Sequence, residues 1–141
     1  MPASFNESLK VLEAQLGKTA FGTRTNTYIG LSSTAPTNGN PPTTITEPSG
    51  GSYARVTASA ATWGSATVVS GTTPTITNAA VITFPTASAD WASGANLTHA
   101  VIYDAATAGN VIGYGTLTVP KNVLSGDTAS IAIGGITVTL T

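Results

Sequence analysis

His99 is the only histidine in this chain, and few other reactive groups surround it: six carboxylates, five basic side chains and no cysteine. A nucleophilic site would join His99 to Asp104 or Asp90 and to one of the many serines, with the imidazole as general base toward a hydroxyl. No G-x-S-x-G elbow accompanies it, and hydroxyl residues are so abundant that one beside His99 is expected by chance. A strand-face histidine held by hydrogen bonds is therefore the preferred role. Metal chemistry is equally thin. Asp104 and Asp127 sit at turns among small residues, where aspartate commonly caps its own backbone. No D-x-D-x-D loop suggests calcium, and zinc would find a single imidazole. No glycine-rich loop leads into a helix to cradle phosphates. The expectation is a chain with no catalytic residue, no metal site and no cofactor.

The composition points the same way. Only 8% of the 141 residues are charged, against roughly 25% in an ordinary soluble domain. Thr, Ser, Gly and Ala stand where Lys and Glu usually do, giving a neutral, β-favouring surface. The basic residues Lys10, Lys18, Arg24, Arg55 and Lys121 are scattered, so no basic patch invites nucleic acid. No run approaches the roughly 18 apolar residues of a spanning helix, so no membrane partner is expected. The opening MPASFNESLK lacks the basic and apolar regions of a secretory signal, which suggests synthesis in the cytoplasm. Without cysteine, stability must come from packing, hydrogen bonds or oligomerisation.

The elements that would position these residues are legible. Ser4 with Glu7 forms a capping-box pattern, and Phe5, Leu9, Leu12 and Leu16 follow at spacings of four, three and four, an apolar stripe on one helix face. Gly17 stands where a left-handed C-terminal cap is wanted. A single domain over 1–141 is expected, with a helix over 4–17 and a β-region over 25–141. Within it, a breaker-rich loop over about 32–52 is expected to project as an arm or contact loop. Strand-like runs fall at Thr25–Leu31, Tyr53–Ala60, Ala66–Val69, Thr75–Phe84, Leu97–Tyr103, Val111–Val119, Thr128–Ile133 and Ile136–Leu140, separated by Gly-rich turns. The alternation predicts Leu97, His99, Val101 and Tyr103 on one face, and Ile136, Val138 and Leu140 on another, with hydroxyls opposite. The expected fold is mainly β: an antiparallel β-sandwich or jelly-roll-like barrel with one N-terminal amphipathic helix. Trp63, Trp91, Tyr53, Tyr103 and Tyr114 could line a sugar-binding face, but a β-core would use most of them. Threonine pairs at i, i+2 are spaced too unequally for an ice-binding solenoid and reflect strand propensity.

The order of segments carries a resemblance. The leucine helix leads into Tyr28–Thr37 (YIGLSSTAPT), then Thr46–Val56 (TEPSGGSYARV), Ile82–Pro85 (ITFP), Asp90-Trp91, Leu97–Ala105 (LTHAVIYDA), Gly113-Tyr114-Gly115, Pro120-Lys121 and Ser125–Thr128 (SGDT). Over nearly the whole chain this resembles small virion proteins of tailed bacteriophages, a family labelled tail-fibre or capsid-decoration proteins. The resemblance brings no catalytic motif. It implies a non-enzymatic structural protein located in the virion. The first expectation is a capsid decoration (cement) protein bound to the major capsid protein or other virion proteins, as a homo-oligomer with a trimer favoured. The alternatives are a tail-fibre or baseplate component contacting the host, and a carbohydrate-binding module. The expected interface residues are Phe5, Leu9, Leu12, Leu16, Pro41, Pro42 and Tyr53, with packing of the helix stripe on the chain's own sheet as the competing expectation.

Overall fold

The computed structural model describes residues 5–20, 22–37, 39, 42–69 and 73–139. Among the described residues a helix, α1 (Phe5–Gln15), is followed by nine strands: β1 (Asn26–Ser32), β2 (Val56–Ser59), β3 (Thr67–Val69), β4 (Thr73–Thr77), β5 (Ile82–Thr83), β6 (Leu97–Tyr103), β7 (Val111–Lys121), β8 (Ser130–Ile131) and β9 (Thr137–Thr139). They form three antiparallel sheets of order β2-β1-β6-β7, β3-β4-β9 and β5-β8. The mainly β fold with one N-terminal helix thus holds. No closed barrel forms among the described residues.

The helix ends as its sequence dictates. The Gly17 backbone is left-handed at φ +70°. Its N–H donates to the Ala14 carbonyl at 3.1 Å, and the Lys18 N–H to the Glu13 carbonyl at 2.9 Å. These paired bonds satisfy carbonyls that the last turn leaves open. Ser4, the expected N-cap, lies outside the described residues, as does the Glu7 side chain.

One core joins the sheets. Ile29 and Leu31 of β1 and Ile102 of β6 meet Ile82, Phe84, Trp91, Val123 and Ile136, all at most 4% exposed. Each such aliphatic side chain contributes roughly 1.5–3 kcal/mol on burial. Tyr53 stands edge-on to Trp91 at 5.1 Å between ring centres and stacks on Phe84 at 6.4 Å, so the aromatics serve mainly as core.

Two expectations change. First, β6 is buried on both faces. Leu97 and Ile102 belong to the main core, while Val101 and Tyr103 form a second cluster with Val111. The β6–β7 register shifts between Leu97 and His99, and there Leu97 falls out of phase with Val101. Second, the loop after β1 folds back rather than projecting. Ser33 N–H donates to the Thr46 carbonyl and Thr37 N–H to the Thr43 carbonyl, each at 3.0 Å. Ile45 then packs on the cluster of Val101, Tyr103 and Val111, because that face of the sheet is apolar and needs cover.

The expected strand over 75–84 is two strands, β4 and β5, with Asn78 between them. Asn78 is 1% exposed. Its Nδ2 donates to the carbonyls of Ala80 (2.9 Å) and Ala132 (2.7 Å), and its Oδ1 accepts from the Ile136 N–H at 2.8 Å. The amide replaces ladder bonds with side-chain ones and breaks the strand.

Candidate functional site

The densest polar constellation lies where the folded-back loop meets β1, β2 and the β6–β7 turn. The turn Gly50-Gly51-Ser52 has left-handed backbone throughout, at φ +82°, +58° and +62°. A Cβ on Gly51 would stand 2.9 Å from the Ala89 carbonyl, so glycine is required there. The turn reverses the chain and sets Glu47 beside Tyr53 and Arg55.

Arg55 Nε donates to Glu47 Oε1 at 2.8 Å and Nη2 to Oε2 at 2.7 Å, a bidentate pair whose side chains are 10% and 20% exposed. Arg55 Nη1 donates to the carbonyls of Ala105 (2.9 Å) and Ala108 (2.7 Å). The guanidinium also lies over the Tyr103 ring, 3.2 Å from its centre, a cation–π contact. The Tyr53 hydroxyl donates to Glu47 Oε1 at 2.7 Å and accepts from the Leu31 N–H at 2.9 Å. Gly30 makes the room: a Cβ there would stand 2.5 Å from Glu47 Oε1.

The electrostatics follow the geometry. Burial opposes the Arg55 charge, but the hydrogen bonds and charge of Glu47 more than offset it and hold its pKa above the ordinary value. Burial pushes the Tyr53 and Tyr103 phenols well up, with Glu47 adding to both. Glu47, Tyr53 and Arg55 line an open cleft of about 410 Å3 with Pro48, Ala54 and residues 106–108. Both carboxylate oxygens and three guanidinium nitrogens are engaged inside the protein, so the cluster fastens three segments together.

The β6–β7 turn is held separately. Asp104 accepts from Asn110 N–H at 2.6 Å and from its Nδ2 at 2.9 Å. Burial raises the Asp104 pKa, but these bonds, with the charges of Lys10 and Arg24, outweigh it and bring it below its ordinary value. The residues weighed for a triad have other hydrogen-bond partners. Asp90 Oδ1 accepts from Ser125 N–H, and His99 Nδ1 pairs with the Thr98 hydroxyl at 2.8 Å. Burial lowers the His99 pKa. His99 and Tyr114 line a cleft of about 440 Å3 beside β9. No group of three His, Asp or Glu that could hold a metal occurs among the described residues.

The expected interface residues separate into two groups. Leu9, Leu12 and Leu16 are 40%, 58% and 77% exposed. Phe5 begins α1, but its side chain lies outside the described residues, as does Pro41. Pro42 is half-buried. Tyr53 is a partly buried internal strut, its hydroxyl engaged by Glu47 and Leu31. Of the tryptophans weighed for sugar stacking, Trp91 is 4% exposed and donates to the Gly51 carbonyl at 2.8 Å. Trp63 donates to the Thr27 hydroxyl at 3.1 Å.

The Glu47–Arg55 pair was not among the expected residues, although a signal existed. Between Arg24 and Asp90 they are the only charged residues. Two lone opposite charges flanking a Pro-Ser-Gly-Gly turn could have been paired on that ground.

Fold and site together define a β-rich protein whose few interior charges tie its segments to one another. The chain belongs to the family described as Podophage GP4 fiber I protein gp80, whose model matches residues 3–139. It is a structural protein of the tailed-phage virion. No curated protein matches the chain.

Proposed function

We propose that this chain is a non-enzymatic building block of a phage fibre rather than a capsid cement. The observation that carries this reading is the family match to a fibre protein over residues 3–139. The interior supports it in kind: Glu47, Arg55 and Tyr53 bond to one another and to neighbouring backbone. A fibre must transmit force and resist the medium, which calls for cross-braced sheets and a surface poor in titratable groups. The neutral, hydroxyl-rich surface suits attachment that changes little with salt.

High-resolution imaging of intact particles tests the reading. Density for this fold in fibres around the tail is the expected result, and density on the capsid lattice overturns it.

A further inference from the structure

We propose that the cleft between β7 and β9 is a binding site for a neutral saccharide, held by Tyr114, His99 and Thr116. The proposal stands on the cleft alone and does not depend on where in the virion the chain sits.

The site is built where two sheets end. β7 closes the four-stranded sheet and β9 the three-stranded one, and no ladder joins them among the described residues. The cleft there measures about 440 Å3, within the usual range of small-ligand sites, roughly 300–1,000 Å3. In the β6–β7 ladder Thr116 stands opposite His99, and Tyr114 opposite Val101. Opposed residues share a sheet face, as do residues two apart on one strand. Tyr114, Thr116 and His99 therefore present their tips on the same side.

These groups are set before any ligand arrives. The Tyr114 ring packs against the buried cluster of Val101, Tyr103 and Val111. His99 Nδ1 pairs with the Thr98 hydroxyl at 2.8 Å, which leaves Nε2 for a ligand. Neither the Tyr114 hydroxyl nor the Thr116 hydroxyl has a hydrogen-bond partner among the described residues. The contrast is with Glu47, Tyr53 and Arg55, whose polar atoms bond to one another and to backbone. Positioned groups that give up no internal bond bind a polar ligand at low ordering cost.

The lining selects the ligand. No Asp, Glu, Lys or Arg lines the cleft, and burial holds His99 below its ordinary pKa, so the imidazole is mostly neutral at pH 7. An ionic ligand would shed water there without meeting a counter-charge. A wholly apolar ligand fares no better. Ile136 is 2% exposed, and Tyr114 is the one aromatic residue in the lining. A neutral sugar fits both limits: its C–H face covers the ring, and its hydroxyls bond to Tyr114, Thr116 and His99. Gly135 keeps the β9 side open. A Cβ there would stand 2.7 Å from Ile131 Cγ2 and 2.9 Å from the Ala132 carbonyl, so the turn demands glycine and leaves bare backbone at the cleft.

Backbone amide shifts of the full chain, followed by NMR during titration, test the site. The neutral probes are maltotriose, mannotriose, galactotriose and tri-N-acetylchitotriose. Trigalacturonate and chitotriose serve as charged probes, and a Gly-Ser peptide as a neutral chain without sugar. At least one neutral saccharide at about 10 mM should move the amides of Gly115, Thr116 and Gly135. Tyr114→Phe, which keeps the ring, should weaken that binding about fivefold. Thr116→Trp should abolish it with an unchanged circular dichroism spectrum. Thr57→Trp, exposed on β2 at the far edge of the same sheet, should bind as the parent chain does. Silence toward every neutral saccharide overturns the site. So do equal shifts with the charged probes or the peptide, shifts centred on other residues, and undiminished binding by both cleft variants.

Discussion

Arg55 meets Glu47 through two parallel hydrogen bonds of 2.8 and 2.7 Å, and the same guanidinium spans to the carbonyls of Ala105 and Ala108. One side chain thereby joins the folded-back loop, the approach to β2 and the β6–β7 turn. Removing one partner leaves the other charge largely desolvated, which costs far more than losing a surface pair. Arg55→Met should destabilise the fold by about 3 kcal/mol. In Glu47→Gln/Arg55→Met the loss should fall short of the sum of the single losses by about 1–3 kcal/mol. Urea unfolding of the four chains measures this, and additive losses would show that the pair is not coupled.

Gly30 is required by proximity rather than by backbone conformation. A methyl group there meets Glu47 Oε1, the Tyr103 ring and the Tyr53 hydroxyl within 3.0 Å. Gly30→Ala should cost about 1–3 kcal/mol through overpacking and weaken the Glu47–Arg55 pair. Gly22 has no atom within 4 Å of the corresponding position, so Gly22→Ala should stay within about 0.5 kcal/mol of the parent. Equal thermal midpoints for the two variants would refute the steric account.

Asn78 satisfies two carbonyls and one N–H while 1% exposed. Asn78→Ala should cost about 3 kcal/mol, because buried backbone groups lose their partners. Asn78→Asp should cost more, since it turns a carboxylate toward the Ala80 and Ala132 carbonyls. Hydrogen exchange at the Ile136 amide should quicken in Asn78→Ala, which removes its acceptor. An unchanged rate would mean that another group takes over the bond.

Acid should weaken the fold in two stages. Burial lowers the His99 pKa from 6.5, so below pH 6.5 the unfolded chain takes up a proton that the folded chain resists. Stability from this group is complete above 6.5 and declines as pH falls toward the folded value. Asp104 is held below 3.8; its contribution is present above 3.8 and disappears as pH falls through the lower folded value. Chemical denaturation across pH should show both declines. His99→Gln should abolish the first and Asp104→Asn the second; retention of both stages in both variants would exclude these groups as the cause.

Much of this protein is written locally. The Gly17 cap follows from a glycine placed after a leucine stripe, and β6 occupies the strand-like run Leu97–Tyr103, although its facing departs from simple alternation. Local chemistry also bounds the strands, because glycine, proline and asparagine act over a few residues through allowed dihedrals and short side-chain bonds. The break at Asn78 escaped because its cause lies partly in Ala132 and Ile136, remote in the chain.

The sequence by itself determined a β-rich chain with one capped amphipathic helix, nearly bare of charge. Periodicity and composition suffice for that, since each acts through neighbouring residues. Only the tertiary structure decided that β1 lies between β2 and β6 and that Ile45 turns back onto the sheet. It alone set the bidentate geometry of Glu47 with Arg55 and turned Leu9, Leu12 and Leu16 outward. These outcomes depend on which surfaces and charges meet through space. Burial and ion pairing have ranges of a few ångströms in space and no fixed range along the chain.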